Sequence, residues 1–524
     1  MSVYTWLDYR VQLRNDLTNK ICQCKNKHIE RAVNNMQSLI LAIEQEENYL
    51  WYKGNPDYLM WFYTRGIVEN GYQNIFNQYL ARNWVNYYWT KSALEDGIKR
   101  THSGLPRQAI VFLDRALGDP IIKCKDADKD RLLEKIFKAN NGNATMSKQK
   151  RLDMAIGDGA YIVSIDQAIS DYPIFEYIDG RDCQFECIGD KITAVIFCKR
   201  YTYNDTIYTC FERRTTERKK GVLKGYKTYA VNERALFVND SKKGFIQVPL
   251  KSIPQTENLE EKDVFKDIPY MLAVPCIREI DDETKRGVSM YRGRIDLFDD
   301  LDQSLSMESN TLRASTPVEY IDSNLLEKDK EGKVIIPSTF GKQFVIYKGA
   351  ENYNQTPQQI QTTFYNIDFN KLSVESQENV SRCLNGWISP ASFGFDISRK
   401  DNALAQREKE KITLQTLKDF KEYEVDILEQ LGKVLLTCYD LMTKSKYEYI
   451  DYEIEVSFKD YATPSLSEKI NTYKDAVKDG VMSVDRFIQE CYGEESEETQ
   501  EQERQALIEA LDRDKPSFNI MSQE

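Results

Sequence analysis

Between Leu404 and Met442 apolar residues recur at steps of three, four or seven: Leu417, Phe420, Ile427, Leu431, Val434, Cys438 and Leu441. That spacing gathers one side of an α-helix, and at ~1.5 Å per residue an unbroken helix of this length spans ~58 Å. The rod is entered through WISPASFGFDISRKDNALAQREKEKITLQTL, Trp387 to Leu417. The first half of this stretch is a loop holding Pro390, Ser392, Phe393, Gly394, Phe395 and the basic pair Arg399 and Lys400. Asn402 suits the N-cap position at the helix start. A stiff rod with an aromatic and basic loop at its head is the feature that any fold for this chain must accommodate.

At 524 residues the chain exceeds one compact core, so several domains or an elongated multi-part subunit is expected. There is no run of about 18 or more apolar residues, and the N-terminus MSVYTWLDYRVQLRNDL lacks the apolar stretch of a signal peptide. The expectation is folding in a cytoplasm without a membrane anchor. The 11 cysteines are scattered and odd in number, which suits reduced thiols. CQCKNKH (Cys22, Cys24, His28) and CQFEC (Cys183, Cys187) lack a second ligand pair, and His28 and His102 are the only histidines, so neither a metal site nor a cofactor is expected. The formal net charge of −12 argues against a surface that grips nucleic acid over its whole area.

Residues 1–118 read as helical, and Trp51, Trp61, Trp84 and Trp89 read as core. Near Gly157 the character changes to short β-branched and aromatic runs broken by Gly, Asp and Asn, an antiparallel meander extending to about Pro275. A helix follows within Arg286 to Ser315, with Ile295, Phe298, Leu301, Leu305 and Leu312 mainly on one face and Asp299, Asp300 and Asp302 around it. Pro317 ends it. A small β-rich insert runs to about Asp368, with strands at VEYID, KVIIP and FVIYKG, and a second helix, FNKLSVESQENVSRCLNGWI, leads back to the loop. After the rod come a strand, YIDYEIEVSF, two short helices, and a tail whose six acids from Glu494 to Glu503 suit a solvated helix start.

Signatures of catalysis are sparse. No phosphate-binding G-x-x-x-x-G-K-[ST] is present, since Gly221 and Gly225 lack the Lys-Ser/Thr end, and there is no G-x-S-x-G or H-E-x-x-H. Asp179, Asp182, Glu186 and Asp190 are the one set that could serve a two-metal centre, which leaves a metal-dependent DNA-processing enzyme of a mobile element as the alternative function. Their irregular spacing among turn glycines is equally ordinary hairpin chemistry. A long-helix interaction scaffold that never closes into a ring is a third reading.

The order of elements resembles the portal proteins of tailed double-stranded DNA bacteriophages, in particular those of phages of Gram-positive hosts. HSGLP before a helix, GDGAYIVSID, GVSMYRGRIDLFDDLDQSLSMESN, ISPASFGFD with NALAQREKEKITLQTL, and PSLSEKINTYKDAVKDGVMSVDRFI each look like segments of that family, in the family's order. Two stretches depart from it: Gly180 stands where many relatives have Pro, and residues 212–260 are long and mixed in charge. The resemblance implies an α+β, elongated multi-domain subunit. Its parts would be an N-terminal helical part of the wing (1–118), a β-rich wing (119–285), stem helix 1 (286–315), a clip (316–368) and stem helix 2 (369–388). A tunnel loop (389–403), the long wing helix with its strand (404–458) and a helical crown (459–524) would complete it. It implies a dodecameric ring at one capsid vertex, made in the host cytoplasm, that serves genome packaging, retention and ejection without enzymatic activity. It implies as partners the duplex DNA in the channel, terminase, major capsid and scaffold proteins, and a head–tail adaptor, with no membrane. Ser392, Phe393, Gly394, Phe395, Arg399 and Lys400 would then face the channel, and Ile295, Phe298, Leu301 and Leu305 would pack the stem.

Overall fold

The computed structural model describes residues 39–68, 87–93, 98–167, 169–220, 226–240, 244–315, 318–322, 343–347, 361–363, 368–393, 403–443, 449–458, 482–492 and 497–513, with a few single positions between them. The chain divides into two units, Met1–Phe458 and Lys459–Glu524. It is a mixed α+β protein with several small sheets.

In the first unit, helices α1 (Leu39–Lys53), α2 (Pro56–Val68), α3 (Tyr88–Ala93) and α4 (Leu105–Leu117) precede strand β1 (Pro120–Cys124). Two further helices, α5 (Ala127–Ala139) and α6 (Gly142–Ile156), stand before the main β-region. Asp126 starts α5 as an N-cap, its carboxylate accepting from the amides of Asp128 and Lys129. The strands then divide where the sequence reads as one continuous meander. Strands β2 (Asp158–Ser164) and β3 (Ile174–Asp179) pair with each other, and β10 (Ala273–Ile277) returns from far along the chain to flank β2. Strands β4 (Cys183–Ile188), β5 (Lys191–Tyr203), β6 (Thr206–Lys220), β7 (Tyr226–Asp240) and β8 (Gly244–Val248) follow one another in a sheet, with β9 (Lys262–Lys266) also on β7. The β5–β6 turn is two residues, Asn204 and Asp205, both at positive φ, the backbone that matches the twist of a tight hairpin.

Helix α7 (Ile295–Ala314) and helix α8 (Phe369–Leu384) bracket a three-stranded sheet of β11 (Val318–Asp322), β12 (Gln343–Tyr347) and β13 (Gln361–Thr363). β11 lies parallel to β12, which the long connection between them permits, and antiparallel to β13. Of the expected strand KVIIP, Ile335 stands in no strand, and its other residues lie outside the described ones, as do Cys22, Cys24, His28, Trp84 and Pro317. The two helices run antiparallel: Cys383 donates to the Leu297 carbonyl, Asn379 to Ser304 Oγ at 2.8 Å and Ser376 to Glu308.

The rod is one helix, α9 (Ala403–Thr443), 41 residues long. Leu417, Phe420, Ile427, Leu431, Val434 and Cys438 are buried in the main core beside Trp51, Trp89, Leu113, Tyr161 and Phe298. Strand β14 (Ile454–Phe458) crosses it at Gly432, where an added Cβ would stand 3.2 Å from Ile454, and pairs with β1. In the second unit α10 (Val484–Tyr492) and α11 (Glu497–Arg513) pack around Val477, Phe487, Ile488 and Cys491. The rest of the segment expected to form two short helices there lies outside the described residues except at single positions.

Candidate functional site: the root of the helical stem

Three of the motifs singled out in the sequence converge where α7 begins. Gly157 and Gly287 bring GDGAYIVSID and GVSMYRG into backbone contact: a Cβ on Gly287 would lie 2.1 Å from the Gly157 carbonyl oxygen, and Gly157 itself sits at φ +111°. Only glycine admits both demands. Asp158, fully buried beside this crossing, accepts from Arg286 Nε at 2.6 Å, Arg286 Nη2 at 2.8 Å, the Gly287 amide at 2.8 Å and Gln45 Nε2 at 3.3 Å. Arg286 Nη2 also donates to the Gly180 carbonyl, so the ion pair joins β2, the β3–β4 turn and the approach to α7. Ser289 donates to the Ala155 carbonyl at 2.6 Å, and Tyr291 to that of Pro106, which ties in the HSGLP segment. Bidentate geometry and saturated acceptors are what make a buried ion pair tolerable.

Of the acids on α7, Asp296 and Asp300 are exposed, whereas Asp299 and Asp302 are buried. Asp299 and Asp302 point inward. Asp299 accepts from the amide of Tyr88 at 2.7 Å, and Asp302 from Trp89 Nε1, the Ser103 amide and, at 2.7 Å, the His102 ring. These carboxylates satisfy the amides at the start of α3 and the Ser103 amide just before α4, which the helices themselves leave without acceptors, the duty an N-cap performs elsewhere. Burial, only partly offset by the Tyr88 and Trp89 amides, pushes the Asp299 carboxyl up to about 7.

Phe298 and Leu301 are fully buried in the chain's own core, and Ile295 and Leu305 lie partly buried against it. Leu312, from the same apolar stripe, is instead 59% exposed, as are Met307 on α7 and Val374 on α8 at 52% and 53%. Of the loop residues, Ser392 and Phe393 end a short 3-10 turn (Pro390–Phe393). Thr413 of α9 accepts from the Ser389 amide at 2.8 Å and bonds Ser392 Oγ at 2.9 Å, while Phe393 packs its ring 5.0 Å from that of Phe112. The head of the loop is thereby fastened to the rod. Gly394, Phe395, Arg399, Lys400 and Asn402 lie outside the described residues.

A second buried network couples the rod to α6. Gln149 Nε2 donates to Asp153 at 2.6 Å and to Glu424 at 2.9 Å, and Tyr177 donates to Asp153. Burial pushes Glu424 up to about 7, and Glu424 Oε2 has no hydrogen-bond partner among the described residues. A folded-state pKa above the unfolded 4.5 means that the folded chain holds a proton the unfolded chain releases. Stability is therefore expected to fall as pH rises from about 5 to 8. Glu424→Gln should flatten that fall and raise the melting temperature at pH 8, with little change at pH 5. Thermal melts over a pH series check this, and parallel wild-type and variant curves would contradict it.

The carboxylates considered for a metal centre are not brought together. Asp179 takes Arg181, Asp182 takes Arg200, Glu186 takes Arg213 and Asp190 takes Lys285. Among the described residues no group of three or more His, Cys, Asp or Glu could hold a metal ion. Cys183 is buried and Cys187 half-buried, both as free thiols. Among the described residues no helix is long and apolar enough to cross a membrane. Among the described residues these polar links fasten the approach to α7 to α6, β2 and α4, and the rod to α6.

No family model matches the chain. No curated protein matches it either. Among solved structures it is similar to a chain of one described as "Neck of empty GTA particle computed with C6 symmetry", at 8% identity and a TM-score of 0.36, over 73% of this chain and 87% of that one. That likeness is too distant to decide the function, which rests on the geometry of the stem and its root.

Proposed function

We propose that this chain is the subunit of a ring-shaped DNA channel, a portal-type protein set at one capsid vertex of a tailed phage-like particle. The observation that carries the reading is the antiparallel pair α7 and α8. It holds a small sheet at one end, is rooted by buried ion pairs at the other, and passes through a fastened turn into a 41-residue helix. A ring needs such a stem, because head-to-tail contacts close only when every subunit holds the same angle. The exposed Met307, Leu312 and Val374 supply apolar surface for a neighbouring stem. The loop from Ser392 to Lys400 would line the bore, and an acidic wall would let duplex DNA slide without adhering. In this reading the ring is a dodecamer that acts in packaging, retention and ejection and breaks no bonds. The clip-like sheet would meet terminase and later a head–tail adaptor, and the wing would meet capsid and scaffold proteins during assembly.

Electron microscopy of the purified full chain tests this directly. Rings with a central hole are expected. A folded protein that stays monomeric at every concentration examined would overturn the proposal.

A further inference from the structure

The β6–β7 hairpin carries a feature that the channel reading does not use. From Arg218 to Asn232 the sequence holds five basic residues, Arg218, Lys219, Lys220, Lys224 and Lys227, and no acid, in a chain of net charge −12. The nearest acid before it, Glu217, is already bonded to Lys262. At this end the hairpin outruns its sheet. Pairing of β6 with β5 stops at Thr215, and pairing of β7 with β9 stops at Tyr229. Among the described residues, Arg218 to Lys220 and Tyr226 to Thr228 pair only with each other.

Register then sets like charges together. Lys219 stands directly opposite Lys227 in the register, and like charges at opposed positions destabilise a ladder. Arg218 and Lys220 occupy the other face, opposite Thr228 and Tyr226. A two-stranded ribbon with no third strand is marginal in water by itself. Lysines on an exposed ribbon guard its edges against pairing with another chain, but an opposed pair costs the ladder stability. A polyanion laid along the ribbon would remove the repulsion and add contacts, and within about 8 Å at physiological salt the local charge outweighs the distant acidity of the chain.

We propose that this ribbon is a docking element for the sugar-phosphate backbone of duplex nucleic acid, separate from the loop that precedes α9. Cations on both faces are the deciding point. A flat acidic protein surface would meet only one face, whereas a duplex groove presents phosphates on both sides of an inserted strand pair, and the major groove admits a two-stranded ribbon. Recognition is by charge and width, so it is independent of sequence.

The test is fluorescence anisotropy of the full chain with short labelled duplexes of several sequences over a salt series. Binding is expected with similar affinity for each sequence and a log–log salt slope of about 3 to 4, for the four ribbon cations in register. Lys219→Gln, Lys220→Gln and Lys227→Gln together should lower affinity about tenfold or more and cut the slope by about 3, with a melting temperature equal to or above wild type. Arg399→Glu with Lys400→Glu should leave the ribbon-dependent part of the slope in place, which separates this element from the proposed channel loop. An unchanged slope in the glutamine variant, a lower melting temperature in it, or binding to a polyglutamate peptide in place of the duplex would overturn the proposal.

Discussion

Replacing Arg286 with Met lowers the unfolding free energy by about 3–5 kcal/mol, the expected cost of leaving a buried carboxylate without its cation. Asp158 is fully buried, and after the change it keeps only the Gly287 amide and Gln45 as donors. The Gly180 carbonyl loses its partner as well. Asp158→Leu combined with Arg286→Met should cost much less than Arg286→Met alone, because removing both charges removes the desolvation penalty. Denaturant midpoints for the two single variants and the double variant read this as a cycle. A loss below about 1 kcal/mol for Arg286→Met would show that the pair does not root the stem. Because the pair holds the approach to α7, the proposed ring would then form poorly in the variant at temperatures where its secondary structure persists.

Phe298→Ala is expected to cost about 3–5 kcal/mol, as for other large aromatic deletions in packed cores. Its ring lies 5.8 Å from that of Trp51 and 5.4 Å, edge-on, from that of Tyr291, with no surface exposed. The loss should appear as a lower melting temperature of the isolated subunit, whether or not rings form. Leu312→Ala on the same helix is the informative contrast. At 59% exposed it should leave the melting temperature of the monomer unchanged and weaken ring assembly. If both variants behave alike, the division of this helix into an inward and an outward face is wrong.

The long helix was legible in the sequence because its apolar residues hold one period from Leu417 to Leu441, a stretch that no strand matches in length or spacing. The same holds for α7 and α8 and for the tight β5–β6 hairpin, whose Asn204–Asp205 turn is local backbone chemistry. The candidate loop was legible only as a composition, and the structure describes its fastened head, Ser392 and Phe393, while the basic pair lies beyond the described residues. What sequence reasoning missed was the root of the stem. The motifs themselves stood out, but nothing in GDGAYIVSID states that its aspartate meets an arginine 128 residues away. One available signal was the pair of glycines flanking Asp158 and Arg286, since glycine at a non-turn position often marks backbone approaching backbone.

The division of strands and the burial of charge belong to the tertiary structure alone. β10 looks like the end of a meander, yet it pairs with β2, because strand alternation specifies a face and leaves the partner open. Asp299 and Asp302 read as the polar side of an amphipathic helix, and they are buried because the Tyr88, Trp89 and Ser103 amides need acceptors. Periodicity is a property of neighbours along the chain, so the sequence by itself determined where the helices and hairpins lie. Which carboxylate is desolvated depends on donors brought from some 200 residues away, and only the folded arrangement decides that, since an acid enters the core when the hydrogen bonds waiting there offset the loss of water.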